Sequence, residues 1–395
     1  MNETLKKIIM GKLKSITLDL LASLLLVACE NENPGVQNTN QFRKEDNISK
    51  IALKFANGIN ASTSTQTRSI DLASVKTINK LPMGNFFKNE SNTRAVNHQI
   101  YLNDTLVSTS LTKNEGTVIL IKNGEKILPI AYFRKENNMD VNKVLRDTTS
   151  DLSFLLQTAV NNIADDSSPM IENTDQIVEK VNPKCKVSWD QDPPYNKYCY
   201  TNDGQQALAG CVAIAGAQAL SVLRPKMSMI TSWDEVTKQY PTAEAIDEIA
   251  KLISYVGQQT GMKYGTKASG TKTSNLVDFF KKYDIYNWGT YQPITVLHLP
   301  DGIVVVSGYR AKHGWGPWKH YVDGHAFIAD GYVKYNRPKD PYYLHLNYGW
   351  GEPFKDVYLL SSEKEWKENE AMAIYKKIFP HKIDFFCFAH EHFGN

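Results

Sequence analysis

Apolar residues along the chain fall into two textures. Up to about Lys180 they come as separated runs. Val118 to Ile121 and Ile127 to Phe133 flank Asn123-Gly124, a pair suited to a tight hairpin turn. Leu152 to Ile163 carries apolar residues at helical spacing and is broken by the polar stretch Asp165 to Pro169. From about Val181 the pattern predicts helices first and strands afterwards. Cys211 to Leu223 is a small-residue-rich helix stopped at Arg224-Pro225, and a second helical pattern runs from Ala243 to Gly257. Ile303 to Val306, His325 to Ile328, Tyr342 to Leu346 and Val357 to Leu360 read as strands, and Phe385 to Phe388 reads as a final core strand. Helices followed by antiparallel strands predict an α+β fold.

The first residues read as an address. Lys6, Lys7, Lys12 and Lys14 precede the apolar run Leu20 to Ala28, which is shorter than the roughly 20 residues a membrane span needs. A positive start, a short apolar run and a small residue before Cys29 resemble a bacterial lipoprotein signal, with the Cys29 thiol acylated and the membrane reached through that lipid. The polar stretch after Cys29 reads as a flexible tether. The expected location is therefore outside the cytoplasm, anchored at the periplasmic or outer surface of a membrane, with release possible after maturation.

Composition narrows the function classes. A chain of 395 residues with 42% hydrophobic and 22% charged residues is globular, with room for two or three domains. A net charge of +3 from 45 basic and 42 acidic side chains supplies no surface for nucleic acid. If Cys29 carries lipid, Cys185, Cys199, Cys211 and Cys387 remain; a free thiol among them leaves room for one disulfide at most, and a Cys387 bond to Cys185 or Cys199 has no support in the sequence. No metal or other cofactor is expected: Cys199 and Cys211 lack metal-ligand spacing, and His390-Glu391-His392 lacks further ligands.

Cys211 stands between Gly210 and its helix. A thiol at a helix N-terminus feels the positive end of the dipole, which favours the nucleophilic thiolate. Gly210 would let a substrate backbone come close. A Cys nucleophile needs a base oriented by a third group. His325, at a strand entrance, is the candidate base. Asn347, twenty-two residues on, could accept from its far ring nitrogen and fix the tautomer. The Cys211 backbone N–H and the Gln205 side chain, six residues upstream, are candidate oxyanion donors, with Gln206 the adjacent competitor. His345 reads as an ordinary polar residue of the sheet, and His313 and His320 as loop residues.

These pieces together resemble the streptopain family of papain-like cysteine peptidases. The matching stretches are Trp189-Asp190-Gln191, Pro194-Tyr195-Asn196 with Cys199, Gly204-Gln205, Gly210-Cys211-Val212-Ala213, Tyr264-Gly265, Ser269-Gly270, Gly324-His325-Ala326-Phe327, Asp330-Gly331 and Asn347-Tyr348-Gly349-Trp350-Gly351. The resemblance implies a papain-like α+β peptidase domain over 181–395, preceded by an inhibitory α+β prodomain over 49–180, a tether over 29–48 and a lipoprotein signal over 1–28. Processing would fall near Glu179 to Val187. It implies a zymogen endopeptidase acting on proteins or peptides, with Cys211, His325, Asn347 and Gln205 catalytic and the prodomain as its own inhibitor. Tyr348, Trp350 and Gly210 would support the site. Ser269, Gly270, Gly324 and Ser307 would bind substrate, with an apolar residue preferred two before the scissile bond and the pocket lined from Tyr264 to Thr271 and by a long loop from Tyr309 to Gly324. Tyr348 stands where the family usually has Trp, and Ser307 near where streptopain carries an oxyanion-binding Gln. Two alternatives share these residues: a catalytically weak or inactive binding homologue, and a Cys-His amidase cutting peptidoglycan.

Overall fold

The computed structural model describes residues 38–63, 74–82, 105–113, 115–124, 126–135, 176–289, 293–313, 320–336, 342–361 and 382–390. The leader, Cys29 and the expected helix from Leu152 lie outside them. Two units divide the chain, Met1–Asn47 and Ile48–Asn395, and the second carries the sheet and both cores. The helices are α1 (Asn38–Thr63), α2 (Cys211–Leu223), α3 (Trp233–Val236), α4 (Ala243–Gln259), α5 (Asn275–Lys281) and α6 (Pro293–His298). The strands are β1 (Val75–Pro82), β2 (Thr105–Leu111), β3 (Thr117–Asn123), β4 (Lys126–Phe133), β5 (Ile177–Val181), β6 (Tyr286–Asn287), β7 (Ile303–His313), β8 (His320–Tyr335), β9 (Tyr342–Asn347), β10 (Val357–Ser361) and β11 (Lys382–Ala389). Helix α1 starts at Asn38, inside the stretch whose polar composition suggested a tether.

All these strands join one sheet, in the order β1-β2-β3-β4-β10-β9-β8-β7-β11-β6, with β5 pairing to β8 off this path. Every pairing is antiparallel, as the α+β expectation requires. The Asn123-Gly124 hairpin forms, with Gly124 at φ 58. The sheet crosses the boundary expected at residue 180. β4 pairs with β10, Phe133 opposite Val357, and β5 pairs with β8, Val181 opposite Tyr332. Residues 309–313 and 320–324 are not the loop expected from the Gly, Trp and Lys content of this stretch. The β7–β8 ladder runs on through Tyr309–Gly324 and Ala311–Val322 to His313–His320. Glycines at 308 and 324 interrupt the apolar alternation and hide the strand from a pattern reading.

Two cores lie on the two faces of this sheet. One gathers Ile48, Ala52, Phe55, Ala56 and Ile59 from a single face of α1 with strand residues from both halves of the chain. Phe55 meets Tyr132, Tyr335 and Tyr343 at ring-centroid distances of 6.3, 6.1 and 4.6 Å, so the N-terminal half and the later strands share this core. The other core packs α2, α4 and α5 against Ile303, Val305, Ala326 and Ile328. Helix α2 is buried on nearly all sides, which its run of small and apolar residues permits. A Cβ at Gly216 would come within 2.7 Å of Leu276 and 2.9 Å of Val256, so this glycine lets α4 and α5 close on α2. Arg224 ends α2 in the left-handed conformation, its N–H returning to the Leu220 carbonyl, and Pro225 follows.

The stretch joining the halves is anchored throughout. The Asp330 carboxylate accepts from the backbone N–H groups of Lys184 at 2.9 Å and Cys185 at 2.6 Å. The Lys184 ammonium donates to the carbonyls of Leu297, Leu299 and Gly302. Val187 and Trp189 are buried. Gly331 lies so close beneath Val181 to Pro183 that a Cβ would sit 2.6 Å from the Val181 carbonyl oxygen.

Candidate active site

Cys211 is the first residue of α2, partly exposed and outside any disulfide. Gly210 before it has φ 89, and a Cβ there would meet Met262 at 2.8 Å and Ser269 at 3.2 Å. The glycine is thus favoured first by its positive φ and then by the close approach of Met262 and Ser269.

His325 reaches the same place from β8. Its neighbours are aromatic: the ring lies 4.7 Å from Trp350 and 5.8 Å from Phe327 between centroids. Tyr348 is buried against Phe327 at 5.0 Å and stacks on Trp350 at 5.5 Å. Trp350 and Tyr348 thus form an apolar wall beside the imidazole. The His325 Nε2 lies 3.1 Å from the Tyr348 backbone carbonyl. A carbonyl only accepts, so Nε2 carries the hydrogen and Nδ1 is the nitrogen that can take up a proton.

Asn347 does not play the orienting part expected for it. Its Oδ1 accepts from Gln218 Nε2 at 2.9 Å and from the Gly349 N–H at 3.1 Å, and its Nδ2 donates to the Val187 carbonyl at 2.8 Å. The carboxamide is committed to α2, the 347–349 turn and the anchored joint. The turn in turn presents the Tyr348 carbonyl to His325. A side-chain pattern cannot reveal an orienting group that is a backbone atom. Gln218, seven residues beyond Cys211, is equally hidden, because it reads as one polar residue in a buried helix.

A cavity of about 150 Å³ brings Cys211 and His325 together with Ser269, Gly270, Gly324 and Ser307. Gln205 is not among its lining residues. It sits on the exposed loop ahead of α2, where its amide donates to Asp203 at 2.7 Å, while Gln206 donates to the Asn196 and Cys199 carbonyls. The Thr201-Asp203-Gly204 turn captures the Gln205 side chain locally, a competition that residue spacing does not disclose. Cys185, Cys199 and Cys387 are buried, and no disulfide forms among the four described cysteines. Burial pushes the Cys185 thiol up to about 12, which leaves it inert.

Behind the site runs a buried ionic chain, in which His345 is far from an ordinary polar residue of the sheet. His345 Nδ1 donates to Asp330, its Nε2 donates to Asp356 at 3.2 Å, and Asp356 pairs with Arg134 of the N-terminal half at 3.2 Å. Burial alone would lower the His345 pKa, but the two carboxylates outweigh it and hold the imidazolium up to about 9. Asp356 moves the other way: burial opposes its charge, and His345 and Arg134 draw it down to about 2. The raised His345 contributes stability in full below its ordinary 6.5 and loses it as pH climbs toward 9; Asp356 contributes above its ordinary 3.8 and loses it as pH falls toward 2. The melting-temperature advantage of the native chain over His345→Gln is therefore expected to shrink between about pH 6.5 and 9. An advantage constant across that window would mean that His345 is neutral.

A thiol at the start of a buried helix, facing a histidine carried by an antiparallel sheet, is the arrangement of a papain-like thiol peptidase. Residues 189–230 and 222–358 match the model of the Peptidase C10 family. Among solved structures, a prointerpain A fragment from Prevotella intermedia, carrying a cysteine-to-alanine substitution, is 17% identical, at a TM-score of 0.47 over 73% of this chain and 96% of that one. Active wild-type interpain A cysteine protease from the same organism is 16% identical, at a TM-score of 0.34 over 55% of this chain and 96% of that one. No curated protein matches the sequence.

Proposed function

We propose that this chain is the exported, lipid-anchored zymogen of a cysteine endopeptidase. The observation that carries the reading is the cleft shared by Cys211 and His325, with the Tyr348 carbonyl holding the imidazole by Nε2. Cys211 Sγ attacks the scissile carbonyl, and its proton goes to His325 Nδ1. The tetrahedral oxyanion is held by the Cys211 N–H at the start of α2. It collapses to an acyl-enzyme as His325 returns the proton to the leaving amine. Water, deprotonated by the same nitrogen, then hydrolyses the thioester. Trp350 and Tyr348 keep bulk water from the Nε2 hydrogen bond.

The N-terminal half acts as the prodomain, and the Leu20 to Cys29 segment as the lipid-accepting signal. The test is a time course of the chain from Glu30 onward with reductant, beside Cys211→Ala, following chain length and casein hydrolysis together. A parent that shortens and then digests casein, beside a variant that does neither, supports the reading. A parent still inert after an outside protease has removed the N-terminal half sinks it. Radiolabelled palmitate should enter the full chain in cells and fail to enter Cys29→Ala.

Maturation is expected to cut before Ile177, not within Glu179 to Val187. Residues 177–181 are a strand of the β8 ladder, and the stretch after it is held at Lys184 and Cys185 by Asp330, at the Lys184 ammonium by three carbonyls, and by the burial of Cys185, Val187 and Trp189. A protease needs an extended, accessible segment, and opening this one would break the sheet. N-terminal sequencing of the matured chain checks this; a first residue between 178 and 187 would contradict it.

A further inference from the structure

The pocket beside the thiol has a hydroxylated floor. Ile303 and Val305 face the helical core from β7, and Ser307, next on that face, stands where the apolar alternation would continue. It lies opposite Ala326 across the β7–β8 ladder, a methyl too short to cover it. Thr273, just ahead of α5, donates to Ser307 Oγ at 2.8 Å, and both side chains are buried. That bond uses a Ser307 lone pair. The Ser307 proton has no acceptor among the described residues. Beside Cys211 and His325, the remaining walls are Ser269, Gly270, Thr271, Gly324 and Ala326, all small, with Val212 the one branched aliphatic side chain among them. Asn275 pins the Thr271 turn by donating to the Thr260 carbonyl and to Thr271 Oγ1. A Cβ built at Gly270 would meet nothing within 4 Å, so the mouth is open on that side.

A buried hydroxyl donor with no acceptor is costly to cover with a hydrocarbon, and a site built to pair a substrate hydroxyl discriminates strongly against an isostere lacking it. We propose that this pocket selects a small hydroxyl-bearing side chain, Thr or Ser, on the acyl side of the scissile bond. The substrate oxygen accepts from Ser307, whose geometry Thr273 fixes. This is the opposite of the apolar preference that the family resemblance implied. The inference rests on the peptidase reading of Cys211 and His325.

Thr and Val have nearly the same shape, so a pair of peptides differing only in this exchange isolates the hydroxyl. We would measure kcat/KM on four such pairs, with Thr or Val at one of the four positions preceding the scissile bond. The expected result is one position at which Thr exceeds Val by about tenfold or more. That preference should fall to about one or reverse in Ser307→Ala and weaken in Thr273→Val. The Thr-to-Val ratio does not depend on how much of a variant is folded. Val equal to or better than Thr at all four positions overturns the proposal, as does a Thr preference that both variants leave intact. Casein hydrolysis and epoxysuccinyl labelling of Cys211 run alongside. A chain that digests casein without preferring Thr refutes this inference alone; one that neither labels nor cuts refutes the peptidase reading and this inference with it.

Discussion

Replacing Cys211 by Ala is expected to lower casein hydrolysis by at least about 10⁴-fold, and His325→Ala by a similar factor, because nucleophile and base act as a unit and the double variant should lose little more. Neither change should disturb the fold much. Cys211 is partly exposed at a helix start, and His325, though buried against Trp350 and Phe327, also lines the open cavity beside Cys211. Asn347→Ala should behave differently. Its carboxamide holds Gln218, the Gly349 N–H and the Val187 carbonyl, while the imidazole is held by the Tyr348 carbonyl. Its loss is expected to cost about 1–3 kcal/mol of stability for the stranded partners, with an activity loss well short of the one caused by His325→Ala. Urea denaturation and kcat/KM measured on the same preparations separate the two effects. An Asn347→Ala chain as stable as its parent yet as inactive as His325→Ala would show that Asn347 acts on the imidazole directly.

Asp330→Ala should be the most destabilising single change in the peptidase half. Asp330 is wholly buried, accepts from the N–H groups of Lys184 and Cys185, and balances the His345 imidazolium. Removing it leaves one buried and one part-buried donor, and a buried cation short of a partner, a loss of about 3–5 kcal/mol. At about 2–4 °C per kcal/mol the melting temperature should fall by roughly 10 °C. Asp330→Asn keeps acceptors for the backbone but not the charge, and should fall between the parent and Asp330→Ala. Asp330→Ala should also open the joint, so limited proteolysis between 177 and 187 should quicken. If thermal denaturation placed both variants within about 1 kcal/mol of the parent, the ionic chain would carry none of the stability assigned to it.

The sequence disclosed what is periodic or local. The α2 helix and its cysteine, the α4 helix, the Asn123-Gly124 hairpin and the later strands all follow from spacing and turn chemistry. The gathering of Ser269, Gly270 and Gly324 around Cys211 and His325 was legible through the family motifs, and that of Ser307 through its place as a departure from the family. What escaped is non-local or carried by the backbone. Arg134 and Asp356 are 222 residues apart in the chain, and no pattern announces their pairing. The Tyr348 carbonyl has no letter of its own. Gln205 was placed by its distance from Cys211, yet a nearer carboxylate, Asp203, captures it. The 309–313 and 320–324 strand ends were hidden because Gly308, Gly324 and charged residues break the apolar alternation around Tyr309, Tyr321 and Val322.

The seam between β4 and β10 bears on handling the enzyme once its first half is cut away. While the halves are joined, Val357 to Leu359 are capped by Phe133 to Ala131. Departure of the first half would bare a row of unpaired N–H and C=O groups along Val357-Tyr358-Leu359-Leu360-Ser361, an apolar edge without a charge or a proline to blunt it. Such an edge recruits strands, from a second copy or from the severed piece itself. A purified mature sample is therefore expected either to retain the cleaved fragment as a tightly held companion or to self-associate as its concentration rises. Short peptides that copy the Lys126 to Phe133 strand would serve as caps that keep it dispersed.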